Sequence, residues 1–297
     1  MPIQILLQRI VSGLAVGSMY SLVALGHVLI WNAMGILNFA HGELVMLGAF
    51  LGLTFHVLWG IPFPIALILV GVTGALIGGF LRRTIYYYLY RNNAVKENYL
   101  ISSIGVSILI INIALLIWGS IGFSFPDVFG NTPFKMAGVR FIPRNIWIFA
   151  IAVTIMIVLN VFLGRTKLGR AMRAAAQDKE TASMIGINVD LVDTLTFGIA
   201  AMIGSIAGVL LAPAMFVTVG MGQAIGLKAF AAAVIGGFTN ISGAILGGVL
   251  LGVLENILGA FVPSNYKDVI SFVVMILVLI IVPKGILGGK GNDQDER

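Results

Sequence analysis

Eight long apolar stretches, at about residues 10–31, 34–58, 63–81, 99–118, 146–164, 194–218, 243–262 and 268–283, leave this chain little choice of fold. About 20 mostly apolar residues is the length that crosses the hydrocarbon core of a bilayer as an α-helix. The expected fold is therefore all-α, a polytopic transmembrane helix bundle of about eight spans, forming one membrane domain over residues 1–297. Charged residues make up only 10% of the chain and hydrophobic ones 59%, with mean hydropathy +1.04, whereas soluble domains carry about a quarter charged residues. The first apolar stretch runs past the length of a signal-peptide core and has no small-residue cleavage site after it, so it is expected to be retained.

A ninth piece, 228–238, reads "KAFAAAVIGGF" and is too short to cross alone. It is expected to be a half-helix or re-entrant segment, which survives at depth only when buried in protein or facing a cavity. Glycines four apart, such as Gly243 with Gly247, Gly248 with Gly252 and Gly204 with Gly208, suit close helix packing in lipid.

Charge sets the orientation. Of 18 Lys and Arg, nine lie within 82–98 and 165–179. Two spans separate these loops, so they share a side, and the positive charge makes it cytoplasmic. The +6 net charge thus marks topology and predicts no nucleic-acid partner. The loop 119–145 then faces out as irregular structure broken by Pro and Gly. Strict counting of eight spans puts both termini outside. Lys284, Lys290 and Arg297 oppose that, and two crossings within 228–262 would move the C-terminus inside.

Several chemistries lack residues to perform them. Cysteine is absent, which excludes thiolate metal sites and cysteine nucleophiles. His27, His41 and His56 have no metal-ligand spacing. No G-x-x-x-x-G-K-[ST] occurs, so no ATP site, catalytic residue or other cofactor is expected in this chain. Transport is left.

The cytoplasmic loop 165–193 is too long for a turn. Its "LGRAMRAAAQDKETASMIG" is built from strong helix formers. Leu168, Met172, Ala175 and Ala176 recur at helical spacing as one apolar stripe among Arg170, Arg173 and Lys179, with Gly186 and Asn188 as helix-ending residues. An amphipathic helix of this kind docks in a groove on a partner or lies on membrane lipid. The small residues Ala174 to Ala176 favour the protein partner.

"NFAHGE", 38–43, sets three polar residues in an apolar stretch. A charged carboxylate at the bilayer centre costs about 2.5–3.5 kcal/mol on insertion scales, so Glu43 has to be paired, protonated, cavity-facing or interfacial. Asn38 and His41, three apart, would share a helix face, with Glu43 pointing elsewhere. Gly35 and Gly42 bracket the group, so a helix break is expected here. Asn38, His41 and Glu43 then either line the path or brace the break. Asn112 and Glu255 are the other candidates at membrane depth, facing the bundle or a partner, with Lys228 as an interface anchor.

"ETASMIG", 180–186, resembles the E-A-A-x-x-x-G loop of bacterial ABC importer permeases, with Thr181 replacing an alanine and no I-x-L-P portion following. Four longer blocks, "GILNFAHGELVMLGAF" (35–50), "LGRAMRAAAQDKETASMIGIN" (168–188), "GLKAFAAAVIGGFTNISGAILGGVLLGVLEN" (226–256) and "YKDVISFVVMILVLIIVPKGILG" (266–288), resemble the branched-chain amino acid ABC transporter permease family (LivH type), in family order. The resemblance implies a multi-pass bacterial inner-membrane permease. Its partners would be a second homologous permease, two cytoplasmic ATPases that hold the ATP, and an extracytoplasmic binding protein. It makes 168–186 the coupling helix, contacting the ATPase through Leu168, Gly169, Arg170, Met172, Arg173, Ala175, Ala176, Asp178, Glu180 and Gly186. The implied substrates are branched-chain or other hydrophobic amino acids, with urea or short amides as the alternative. The rival classes are a stand-alone ion-coupled transporter using Glu43, His41 and Glu255 as a proton relay, and a passive channel.

Overall fold

The structure, a computed structural model, describes residues 3–92, 94–130, 132–136, 139–261 and 267–288. Lys290 and Arg297 lie outside these. The chain forms α1 (Ile3–Met34), α2 (His41–Gly52, continued by a π-helical turn to Leu58), α3 (Phe63–Leu81) and α4 (Tyr87–Arg91), the last two joined by a π-helical turn. Then come α5 (Lys96–Trp118), a hairpin of β1 (Phe134–Met136) and β2 (Val139–Phe141), and α6 (Pro143–Arg165). The loop expected to be cytoplasmic holds α7 (Lys167–Gln177) and α8 (Lys179–Met184). Finally α9 (Val189–Leu211), α10 (Met221–Gly236), α11 (Ile241–Leu258) and α12 (Lys267–Ile281) complete the bundle.

Among the described residues, seven helices, beginning at residues 4, 41, 63, 96, 143, 189 and 241, are long and apolar enough to span. They match seven of the eight expected spans. The expected eighth, 268–283, is the 15-residue α12, about 22 Å long at 1.5 Å per residue, shorter than a bilayer core of about 30 Å. The expected half-helix at 228–238 is the 16-residue α10, stopped by Gly237 at φ +106°. Beyond α12 the backbone returns to α10, where Ile286 N donates to Ile235 O and Leu287 N to Gly236 O. Nearby, the Asn32 amide at the end of α1 donates to Thr239 O, and a cavity joins Thr239 to Ala175 and Gln177 of α7. The last described residues therefore lie on the α7 side.

α1 is the axis, packed along α11, α9 and α10. Its approach to α11 depends on two glycine pairs, Gly13 and Gly17 against Gly248 and Gly252. A Cβ on Gly252 would stand 2.3 Å from Gly17 Cα. Without lipid-excluding hydrophobic force between helices, such contact is what holds them together. Opposite α7, Phe123 and Val217 pair their backbones, and Arg144 donates to Pro213 O at 2.6 Å, tying the 119–145 loop to the end of α9.

Candidate functional site

Between α1 and α2 the helix breaks, as expected from the glycines. Gly35 ends α1 at φ +64° and α2 starts at His41. Asn38 therefore lies in the break and does not share a helix face with His41. Its Oδ1 accepts from the Tyr86 hydroxyl at 3.0 Å and from Ala40 N at 3.1 Å, and Phe39 N donates to Ser103 Oγ. Asn38 thus braces the break, satisfying backbone that no helix satisfies. His41 is fully buried, edge-on to His27 with ring centroids 4.7 Å apart. Gly26 makes room for it, since a Cβ there would fall 2.1 Å from His41 Nε2.

Glu43 is also buried, level with Ser107 halfway along α5. Ser107 Oγ donates to Glu43 Oε1 at 3.1 Å, and Oε2 has no hydrogen-bond partner among the described residues. Oε2 lies against Gly222, whose Cβ would come within 2.5 Å of it. Glu43 lines a pocket of about 300 Å³ together with His27, Phe39, Gly42, Ile104, Ser107, Gln223, Gly226, Leu227 and Phe230. The pocket opens past the exposed Phe39, Ile104 and Gln223 at bilayer depth. Gly42 and Gly226 let α2 and α10 cross behind it: a Cβ on Gly226 would lie 2.7 Å from Gly42 Cα. Sequence reasoning reached Glu43 and missed Ser107, Gln223 and Phe230. The crossing of α10 over α2 joins residues some 180 positions apart, and no local pattern announces it.

Glu255 has a different setting. Its carboxylate accepts from Lys228 Nζ at 2.8 Å, and from the hydroxyls of Tyr20 and Ser271, both at 3.1 Å. Lys228 also meets Asp268 at 2.8 Å. Lys228, expected as an interface anchor, is instead the half-buried centre of a network joining α1, α10, α11 and α12. Asn112, expected to face the bundle or a partner, is exposed on α5 and donates to Ile108 O of its own helix at 2.8 Å, the local solution open to a polar side chain in a helix.

The loop at 165–193 also differs from its expected form. The single helix divides at Asp178, whose backbone is extended (φ −155°). Its carboxylate accepts from Glu180 N, Thr181 N and the Thr181 hydroxyl and so starts α8. Donation by the Thr181 hydroxyl, then by the Thr181 backbone N–H, holds this carboxyl below its ordinary range. Thr166 caps α7 in the same way, and Asn188, expected to end a helix, instead caps the start of α9. The buried stripe of α7 is Gly169, Met172 and Ala175; Leu168 and Ala176 are exposed. That stripe packs on α6, α9 and α1, so the apolar face covers this chain's own bundle. What points outward is Arg170, Arg173, Glu180 and, after the elbow, Met184 (81% exposed) and Ile185 (71%), ended by Gly186 at φ +87°. The elbow is tied to the bundle through Lys179, which meets Asp193 at 2.8 Å; Asp193 in turn meets the buried Arg82 at 3.3 Å. Arg82 also holds Asp190 at 2.7 Å.

Residues 9–279 match the model of the branched-chain amino acid transport system permease component. The chain belongs to this permease family. It is 37% identical to the high-affinity branched-chain amino acid transport system permease protein LivH of Salmonella typhimurium, over 95% of each chain. It is 38% identical to BraD, the corresponding permease protein of Pseudomonas aeruginosa, again over 95% of each. A probable branched-chain amino acid transport permease of Methanocaldococcus jannaschii is 29% identical, over 90% of this chain and 88% of its own. No solved structure matches the chain. The protein is thus a multi-pass membrane permease, and the resemblance read from its four sequence blocks holds over nearly its whole length.

Proposed function

We propose that this permease is the membrane subunit of an ATP-driven importer of branched-chain amino acids in the bacterial cytoplasmic membrane. The observation that carries the reading is the family match, which runs through both the polar break at 38–43 and the α7–α8 elbow. A second homologous permease covers the open flank of the Glu43 pocket, where the exposed Gln223 amide would otherwise meet lipid at a cost of several kcal/mol. Cytoplasmic ATPases, one on each permease, dock on the elbow, and an extracytoplasmic binding protein delivers the amino acid.

On this reading Met184 and Ile185 insert into the ATPase, framed by Arg170, Arg173 and Glu180, while Gly169, Met172 and Ala175 fasten α7 to the bundle. ATP-driven motion at the elbow reaches the spans through Lys179, Asp193 and Arg82. The first test is to purify the tagged chain in mild detergent and identify what accompanies it. A second permease and Walker-motif ATPases are expected; a chain that purifies alone and moves leucine in liposomes without ATP would overturn the reading. In the reconstituted complex Ile185→Asp should cut leucine-stimulated ATP hydrolysis about tenfold or more, as for an apolar anchor lost from an interface.

A further inference from the structure

Resting on the permease reading, the pocket beside Glu43 is more selective than a simple passage. Ser107 holds one carboxyl oxygen, and the second lies buried against the bare backbone of Gly222 with no donor among the described residues. A buried acceptor left unpaired costs about 1–3 kcal/mol, so this site is built for a donor that the chain itself does not supply. Ile104 and Leu227 stand beside the aromatic rings of Phe39 and Phe230 as an apolar side of the wall, and His27 and Gln223 are its other polar side chains. No Lys or Arg lines the pocket, so nothing in it carries a fixed positive charge for a ligand carboxylate. At about 300 Å³ it lies at the small end of ligand pockets.

We infer that this pocket holds an aliphatic amino acid in transit by its ammonium group and its branched side chain. The ammonium donates to Glu43, the side chain lies against Ile104 and Leu227, and the carboxylate is directed to the open flank beside Gln223. The site therefore recognises an amine with a branched alkyl chain and is indifferent to the acid group. This places selectivity for the amino end in the membrane domain itself.

The test uses the complete complex in nanodiscs without its binding protein, so that only the membrane complex sets selectivity. A diazirine analogue of leucine is photolysed in it and the adducts are mapped by mass spectrometry. Adducts are expected on peptides carrying Ile104–Ser107 and Gln223–Phe230. Leucine and 3-methylbutan-1-amine should both suppress them; 4-methylpentanoate, which lacks the amine, should not. Glu43→Gln should cut labelling about tenfold or more, the scale of one charge-assisted hydrogen bond, and erase the difference between amine and acid. Ile104→Trp, at a half-exposed position on the rim, should block labelling without lowering the melting temperature, which keeps the test valid if the Glu43 variant folds poorly. Adducts elsewhere, equal suppression by the acid, or wild-type labelling in both variants would overturn the assignment. If labelling avoids the pocket while ATP-dependent leucine uptake is normal, the pocket assignment alone fails, and the unpaired oxygen belongs to a donor on the second permease. If uptake itself is absent, the importer reading fails with it.

Discussion

Among the described residues two glutamates are buried, and their surroundings are opposite. Glu255 has a lysine and two hydroxyls around its carboxylate. Glu43, a lining residue of the cavity, has one hydroxyl and a second oxygen with no partner among the described residues. Both stand in apolar sequence with similar spacing from helix ends, so neither the residue type nor the depth separates them. What separates them is whether this chain supplies the partners. A carboxylate that the fold satisfies completely is an internal tie; one that the fold satisfies by half is waiting for something outside it.

Breaking the tie should have the largest effect. Lys228→Met leaves Glu255 and Asp268 without their shared cation, and removing one partner of a buried pair costs about 3–5 kcal/mol. Loss of folded protein in detergent, followed by thermal melting, is the expected outcome. Pairing it with Glu255→Leu should restore much of that stability, since an apolar pair of similar volume carries no uncompensated charge. If Lys228→Met melts like the wild type, the comparison between the two glutamates collapses.

Next in size is Gly42→Val. The backbone crossing of α2 over α10 has no room for a side chain, since a Cβ at Gly42 would come 2.5 Å from Gly222 O. Overpacking of this kind costs about 1–3 kcal/mol, and here it also pushes α10 off the pocket wall. Transport should fall further than stability. A variant that folds and transports normally would show that the crossing does not shape the pocket.

Glu43→Gln is the sharper probe, because its expected effect on the fold is small. The amide keeps an acceptor for Ser107, so melting should move by no more than about 1 kcal/mol, while leucine transport drops. A large loss of stability would instead make Glu43 a tie like Glu255, and would return the group to the bracing role that Asn38 already fills.

The sequence carried the architecture well and the site unevenly, for physical reasons. Spans are visible because lipid demands long apolar runs, and the break at 35–42 is visible because glycines and polar residues interrupt one of them. Lys228 was unreadable as a partner of Glu255: the pair meets only because α10 and α11 run antiparallel, and a lysine near a helix end is equally suited to an interface. On α7 the pattern identified a stripe correctly in kind but shifted it, taking Leu168 for Gly169, because a glycine face has no hydrophobic signature. Its apolar face turned inward, and the outward knob of Met184 and Ile185 went unnoticed, since apolar residues in a helix read as core. The elbow itself was hidden because aspartate is only a few tenths of a kcal/mol worse inside a helix than its neighbours, while its value as a cap appears only once the chain turns.

That elbow gives the smallest effect, and it extends the comparison to a carboxylate in water. Asp178 is satisfied locally, by groups two and three residues away, so it needs neither a lysine nor a ligand. Because its pKa is depressed in the folded chain, the cap is fully present above the ordinary carboxylate value and is lost as pH falls through the depressed one. Between neutral pH and the ordinary value the elbow should not change. Below that, spin labels placed at Arg170 and Met184 should report a widening distance as α7 and α8 merge. Asp178→Asn should keep the bend, since asparagine caps as well as aspartate, but remove its dependence on pH; Asp178→Ala should straighten the elbow at every pH and lower coupling modestly. An elbow that keeps its angle in the alanine variant would mean that Lys179, held by Asp193, sets the bend and the cap merely accompanies it.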